Sequence, residues 1–208
     1  MTRVKQMSAE EKYRRARDAY AHDTYMFPFI EERLGPDALK DYRRRYDCCM
    51  ETIPDDAPWQ TKYEVAFRIW MRECSASYDF VREHLGEQGI AQMADVSVEA
   101  LKREDPRATL AALRLIRAVS PRLAFKMVAK TFAYEFQWLT PYAIEELSGD
   151  RAVFRIPRCR IRTYPDSDDT CRVACRGEYP RWLREHYGVV MDTAPCGESC
   201  TVTFTRPR

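Results

Sequence analysis

At 208 residues, 45% of them hydrophobic and 32% charged, the chain has the make-up of one globular domain with an embellishment, or of two small units sharing a core. Its 34 basic and 32 acidic residues leave a formal charge of +2, a balance that excludes a global attraction to nucleic acid or to an anionic membrane. No stretch reaches the roughly 18 consecutive apolar residues a membrane span needs. The first residues lack the apolar core of a signal peptide, so the eight cysteines read as reduced thiols of a cytoplasmic protein.

The first element opens on Ser8-x-x-Glu11, a capping box in which hydroxyl and carboxylate each take an orphan backbone N–H. Its helix should run to about His22. Pro28 is expected to interrupt or kink the segment from Met26 to Leu34, because it lacks an N–H. Gly35-Pro36 ends one helix and begins the next, whose apolar face is Leu39, Tyr42, Tyr46 and Cys49. Arg43, Arg44 and Arg45 read as a solvated face or as partners of Asp41 and Asp47. At most one of the neighbouring Cys48 and Cys49 faces the interior, since adjacent residues on a helix point about 100° apart.

Pro54 to Pro58 reads as a turn. A long helix should run from Trp59 to Leu85, ending at Gly86, with Tyr63, Phe67, Trp70, Cys74, Ser77 or Tyr78, and Val81 as its buried stripe. A shorter helix is expected from Gly89 to Lys102. Asp105-Pro106 then caps a helix from Arg107 to Val119, and Ser120-Pro121 starts another. Leu110, Leu113 and Ile116 should meet Leu123 and Met127 across that antiparallel pair. Residues 1–135 therefore read as a helical region without a Gly-rich phosphate loop or a paired-histidine metal motif.

Residues 136–208 change character. Aromatic and β-branched residues around Ser148-Gly149-Asp150 predict a hairpin, with Pro157 at a strand end and Cys159 just beyond it. Residues 164–169 read as a polar loop and Glu178 to Tyr187 as a short helix closed by Gly188. Val189–Met191 and Cys200–Thr205 read as two more strands. Strand parity turns Cys200, Val202 and Phe204 to one face. The fold class is thus α+β: a helical N-terminal region packed on a C-terminal antiparallel β-β-α-β-β unit.

Five of the eight cysteines fall in this unit, and three chemistries compete for them. Cys171, Cys175, Cys196 and Cys200, as two C-x3-C pairs, offer soft ligands for zinc or an iron–sulfur cluster in a redox or sensing role. Alternatively, Cys159 beside Arg158, Arg160 and Arg162, or Cys175 between Arg172 and Arg176, is a thiol nucleophile favoured by positive charge, with His186 as base. The third reading is ligand binding without chemistry, in a pocket lined by Trp138, Tyr142, Tyr164, Tyr179 and Trp182. An interaction protein with structural cysteines is the remaining class.

The order Phe154-Arg-Ile-Pro-Arg-Cys159-Arg, then Val173-Ala-Cys175, a helix, Cys196, and a final Cys200-Thr-Val-Thr-Phe204 resembles the L-2-amino-thiazoline-4-carboxylic acid hydrolase-like family and its uncharacterised cytosolic relatives. The resemblance covers residues 150–205. It implies a cysteine-dependent hydrolase that opens a cyclic amidine or amide carrying a carboxylate, with no cofactor. Cys159, Cys175 and His186 would be catalytic. Arg160, Tyr179 and Cys200 would bind a small-molecule substrate, Arg160 as the fork that holds its carboxylate. Neither nucleic acid nor membrane is expected as a partner, and a homo-oligomer stays open.

Overall fold

The computed structural model describes residues 4–22, 25–104 and 106–207. The helical region comprises α1 (Ala9–His22), α2 (Met26–Leu34), α3 (Pro36–Cys49), α4 (Trp59–Glu104), α5 (Arg107–Val119) and α6 (Pro121–Glu135). A four-stranded antiparallel sheet comes next, with β1 (Ala143–Leu147), β2 (Arg151–Ile156), β3 (Val190–Cys196) and β4 (Ser199–Thr205) in the order β1-β2-β4-β3. The fold is α+β, and no helix among the described residues is long and apolar enough to cross a membrane.

Local chemistry explains most of the boundaries. The capping box forms at the head of α1: Glu11 N–H donates to Ser8 Oγ at 3.2 Å, and Ser8 N–H to Glu11 Oε2 at 2.7 Å. Pro28 neither breaks nor ends a helix. It lies in the first turn of α2, where the N–H it lacks would have no intrahelical acceptor. Gly86 stops the regular winding of α4 as expected (φ 62°), but a second helical arm continues to Glu104 without an intervening loop. The cap assigned to Asp105 lies outside the described residues.

Two hydrophobic cores result. The larger joins Tyr63, Phe67 and Trp70 of α4, Phe125 and Val128 of α6, and the inner face of the sheet. There the ring of Phe204 lies 5.4 Å from that of Phe154 and 4.9 Å from that of Phe132. The smaller core holds Met26, Ile30, Tyr42, Phe80 and Met93. The expected α5–α6 contact is only half right. Leu113 is buried, but Leu123 and Met127 face outward, and α6 turns Ala124, Phe125 and Val128 inward instead.

The largest departure is the helix between β2 and β3. It begins not at Glu178 but at Asp168, passes at Thr170 into a π-helical segment (Thr170–Glu178), and continues through α7 (Tyr179–Trp182) to a second π-helical segment (Leu183–Tyr187). The wider winding is visible where Tyr179 N–H donates to Ala174 O, five residues back. β3 is likewise longer than expected, reaching Cys196. Pro195 is tolerated there because β3 is an edge strand.

The run ends on Gly188, left-handed at φ 58°, where a Cβ would meet the Arg117 guanidinium at 2.8 Å. Arg117 also donates to Tyr187 O, tying α5 to this helix end. Gly188→Ala is therefore expected to lower the unfolding free energy by about 1–2 kcal/mol, from the left-handed backbone alone. Urea unfolding of the two proteins checks this; no measurable loss would mean that the turn relaxes freely.

Candidate functional site

Four thiols from three separate elements enter one core. Cys159 lies on the turn beyond β2, Cys171 and Cys175 on the first turns of the cysteine-bearing helix, and Cys200 on the central strand β4. All four are buried, at 5–8% exposure. Backbone contacts hold them. Cys159 N–H donates to Glu198 O at 2.7 Å, Cys171 N–H to Ser167 O at 3.1 Å, and Thr193 Oγ1 to Cys175 O at 3.1 Å. On the sheet, Cys200 stands opposite Ile156 on one side and Pro195 on the other.

Burial acts on the protonation of three of them. It raises the Cys159 pKa, pushes Cys175 well up, and brings Cys200 to about 11; in each case the neighbouring cysteines add to the rise. The backbone N–H groups of Arg162 and Ile161 act on the Cys159 sulfur against the effect of burial, and the Arg162 side chain is the one guanidinium that donates to a buried sulfur among the described residues. Its Nη1 lies 3.7 Å from Cys171 Sγ, and its Nε donates to Gly197 O at 2.6 Å. Arg162 thus clasps the helix to the β3–β4 turn, and its own pKa is raised, first by the Cys171 contact.

The flanking arginines that the sequence placed around Cys159 and Cys175 mostly point elsewhere. Arg158 pairs with Glu198 at 3.2 Å, and Arg172 bridges Asp169 and Glu87. Arg160 is paired with Glu64, donates to the Tyr63 hydroxyl, and covers the Phe67 ring at 3.9 Å. Its guanidinium is engaged there, away from the thiols. Cys175 does not precede a helix N-terminus, so it gains no dipole assistance; it lies inside the helix. His186 sits in the last turn of the run, with its ring 5.1 Å from Tyr187.

Cys196 is exposed at the end of β3, whereas Cys200 is buried, so the second C-x3-C pair is split between surface and core. Among the described residues, no three Cys, His, Asp or Glu side chains are arranged to hold a metal ion. The thiol set gathered in the core is Cys159, Cys171, Cys175 and Cys200. Cys48 is exposed and Cys49 buried; Cys74 is half-buried.

Behind the same helix lies a cavity of about 320 Å³, walled by Tyr25, Trp70, Tyr78, Trp138 and Tyr179, with Cys74 and Glu178 among its lining. Glu178 is 6% exposed and accepts a hydrogen bond from Ser97 Oγ at 3.0 Å. Trp138 and Tyr179 lie where the sequence suggested a pocket. Tyr142 instead donates to Ala133 O, and Trp182 packs edge-on against Tyr187 at 5.3 Å. Trp70, Cys74 and Tyr78 were legible as a helical stripe, but nothing local distinguished a cavity wall from a filled core.

No described protein family matches the sequence, and no curated protein is similar to it. Among solved structures, the Fe(II) unliganded H-NOX protein of K. algicida aligns at a TM-score of 0.40 and 10% identity. A mutant of that protein aligns at 0.41 and 9%. Both alignments cover 91% of this chain and 96% of the other. Likenesses at that level say nothing about ligand or activity here.

The raised thiol pKa values have a consequence for stability. A thiol whose pKa is raised by folding keeps its proton longer in the native chain than in the unfolded one. The Cys200 contribution is then complete below pH 9 and is lost as pH climbs towards 11. In urea unfolding, the wild-type chain is expected to lose stability over that interval more steeply than Cys200→Ala. Equal slopes would assign the loss to other groups.

Proposed function

We propose that this chain is a thiol-based redox sensor whose working groups are Cys171 and Cys159. The observation that carries the reading is the Arg162 guanidinium on Cys171 Sγ, inside a cluster whose other sulfurs have no such direct contact among the described residues. A cation beside one sulfur favours its thiolate over those of its neighbours. Arg162 acts electrostatically on both Cys159 and Cys200, but Cys159 alone of the two also has the backbone N–H groups of Arg162 and Ile161 acting on its sulfur, which makes it the favoured second thiol.

The chemistry needs a hydroperoxide as oxidant. The Cys171 thiolate attacks the outer peroxide oxygen; an S–O bond forms, the O–O bond breaks, and the departing alkoxide or hydroxide takes up the proton that the Cys171 thiol had released, leaving as alcohol or water. The Cys159 thiol then attacks the sulfenic sulfur. An S–S bond forms, the S–O bond breaks, and the departing hydroxide takes the thiol proton as water. Two thiols have lost two electrons and the peroxide has gained them.

Mass-spectrometric mapping after limited peroxide treatment tests this. A Cys159–Cys171 disulfide is expected, with Arg162→Gln slowing its formation about tenfold, the order of a lost thiolate population. Oxidation confined to the exposed Cys48 and Cys196 would sink the reading, as would stoichiometric zinc or iron in protein purified under reducing conditions.

The same Arg162 contact supports a second reading, the cysteine hydrolase implied by the family resemblance, with its nucleophile moved to Cys171. Turnover of a cyclic amidine carboxylate should then vanish in Cys171→Ser and persist in Cys175→Ser. Loss in Cys159→Ser or Cys175→Ser with full turnover in Cys171→Ser would return the role to a position the resemblance implies.

A further inference from the structure

We infer that the α5–α6 hairpin is a docking surface for an anionic lipid bilayer. The near-neutral total hides a segregation. Residues 107–134 contain six basic residues (Arg107, Arg114, Arg117, Arg122, Lys126 and Lys130) and no acidic one, leaving 28 basic against 32 acidic residues in the rest of the chain. Arg114, Lys126 and Lys130 make no ion pair among the described residues. Arg122 pairs with Asp150 at 3.0 Å while its side chain stays 74% exposed.

The same hairpin carries the most exposed large apolar side chains among the described residues. Val119 is 88% exposed, Leu115 72% and Leu123 51%, with Met127 beside them at 42%. Leu115 and Val119 are one helical turn apart on α5, as are Leu123 and Met127 on α6, so two apolar stripes run away from the turn at Ser120. α5 packs mainly on α6, through Leu113 and the inward side of α6, and its other face is uncovered among the described residues.

Arg and Lys beside exposed Leu, Val and Met suit a bilayer surface. The apolar tips enter the boundary of the acyl region, while the long basic stems run back along them to lipid phosphates. Charge complementarity separates this occupant from two others. A second copy would set one basic hairpin against another, because the one carboxylate of α5 and α6, Glu135, is already paired with Arg15 at 2.6 Å. A nucleic acid would satisfy the cations but leave the four apolar side chains without a partner.

Flotation of the full chain with vesicles tests the inference, using phosphatidylcholine alone or with about 30 mol% phosphatidylserine, whose negative surface potential attracts basic segments. Partitioning onto the anionic vesicles is expected to be at least about tenfold stronger and to fall steeply as salt is raised. Val119→Asp and the double change Lys126→Glu, Lys130→Glu should each reduce it about tenfold or more. Met50→Asp, an exposed apolar site elsewhere, should leave it unchanged. Equal partitioning onto neutral and anionic vesicles would overturn the inference. So would indifference to Val119→Asp, tighter binding to duplex DNA than to the anionic vesicles, or a vesicle-free dimer that Val119→Asp dissolves.

Discussion

The helix from Asp168 to Tyr187 is wedged between the two hydrophobic cores, and the candidate site depends on that placement. Cys171 and Cys175 enter the larger core beneath β4, while Val173 enters the smaller one beside Phe80 and Met93. A segment gripped on both sides cannot slide or roll without uncovering several side chains, each worth about 1.5–3 kcal/mol when buried. That grip fixes two sulfurs against those of Cys159 and Cys200, which the sheet positions independently. It also gives the helix its second duty, since Ala174, Glu178 and Tyr179 form one wall of the aromatic cavity.

Close gathering and chemical reactivity pull against each other here. The burial that brings the four thiols together raises the pKa of three of them, so the resting cluster is an apolar, protonated one. Arg162 reaches one sulfur, that of Cys171, from a half-buried position while its Nε donates to the Gly197 carbonyl in the β3–β4 turn. Cys171, which the sequence offered only as a metal ligand, is therefore the thiol with a guanidinium in direct contact. Charge near a cysteine in sequence is a poor guide when side chains alternate in direction. Arg160 and Arg172 sit beside Cys159 and Cys171 in the chain, yet both are engaged by carboxylates outside the cluster.

Patterns that depend on local chemistry were legible in the sequence: the capping box, the Ser148-Gly149-Asp150 hairpin, the parity of β4, and the glycine stops at positions 86 and 188. The start of the cysteine-bearing helix was not. Its exposed residues, Arg172, Arg176 and Gly177, do share one face, but the buried face mixes polar Thr170 and Glu178 with the cysteines, and π winding shifts the repeat away from the ordinary helical one. On α6 the difficulty was the reverse. Leu123 with Met127, and Ala124 with Val128, are both credible apolar stripes at helical spacing, and sequence alone could not choose which pair faces the core. The cavity was out of reach for a related reason: its walls come from α1, Tyr25, both arms of α4, Trp138 beyond α6 and the helix at 168–187, and only folding brings them together.

The hairpin also shows why a net charge is a weak descriptor of what a protein touches. At physiological ionic strength, charges separated by more than about 8 Å are largely screened from one another. A surface approaching one end of the molecule therefore responds to the charges at that end. Carboxylates on the far side of the fold cannot cancel the basic side chains of the hairpin there, although they cancel them in the sum. The apolar stripes beside those cations are equally invisible to a total, because they sit at spacings that an ordinary core helix also uses. Charge segregation and outward-facing apolar residues distinguish this hairpin from its neighbours only when taken together, and only the second required the fold.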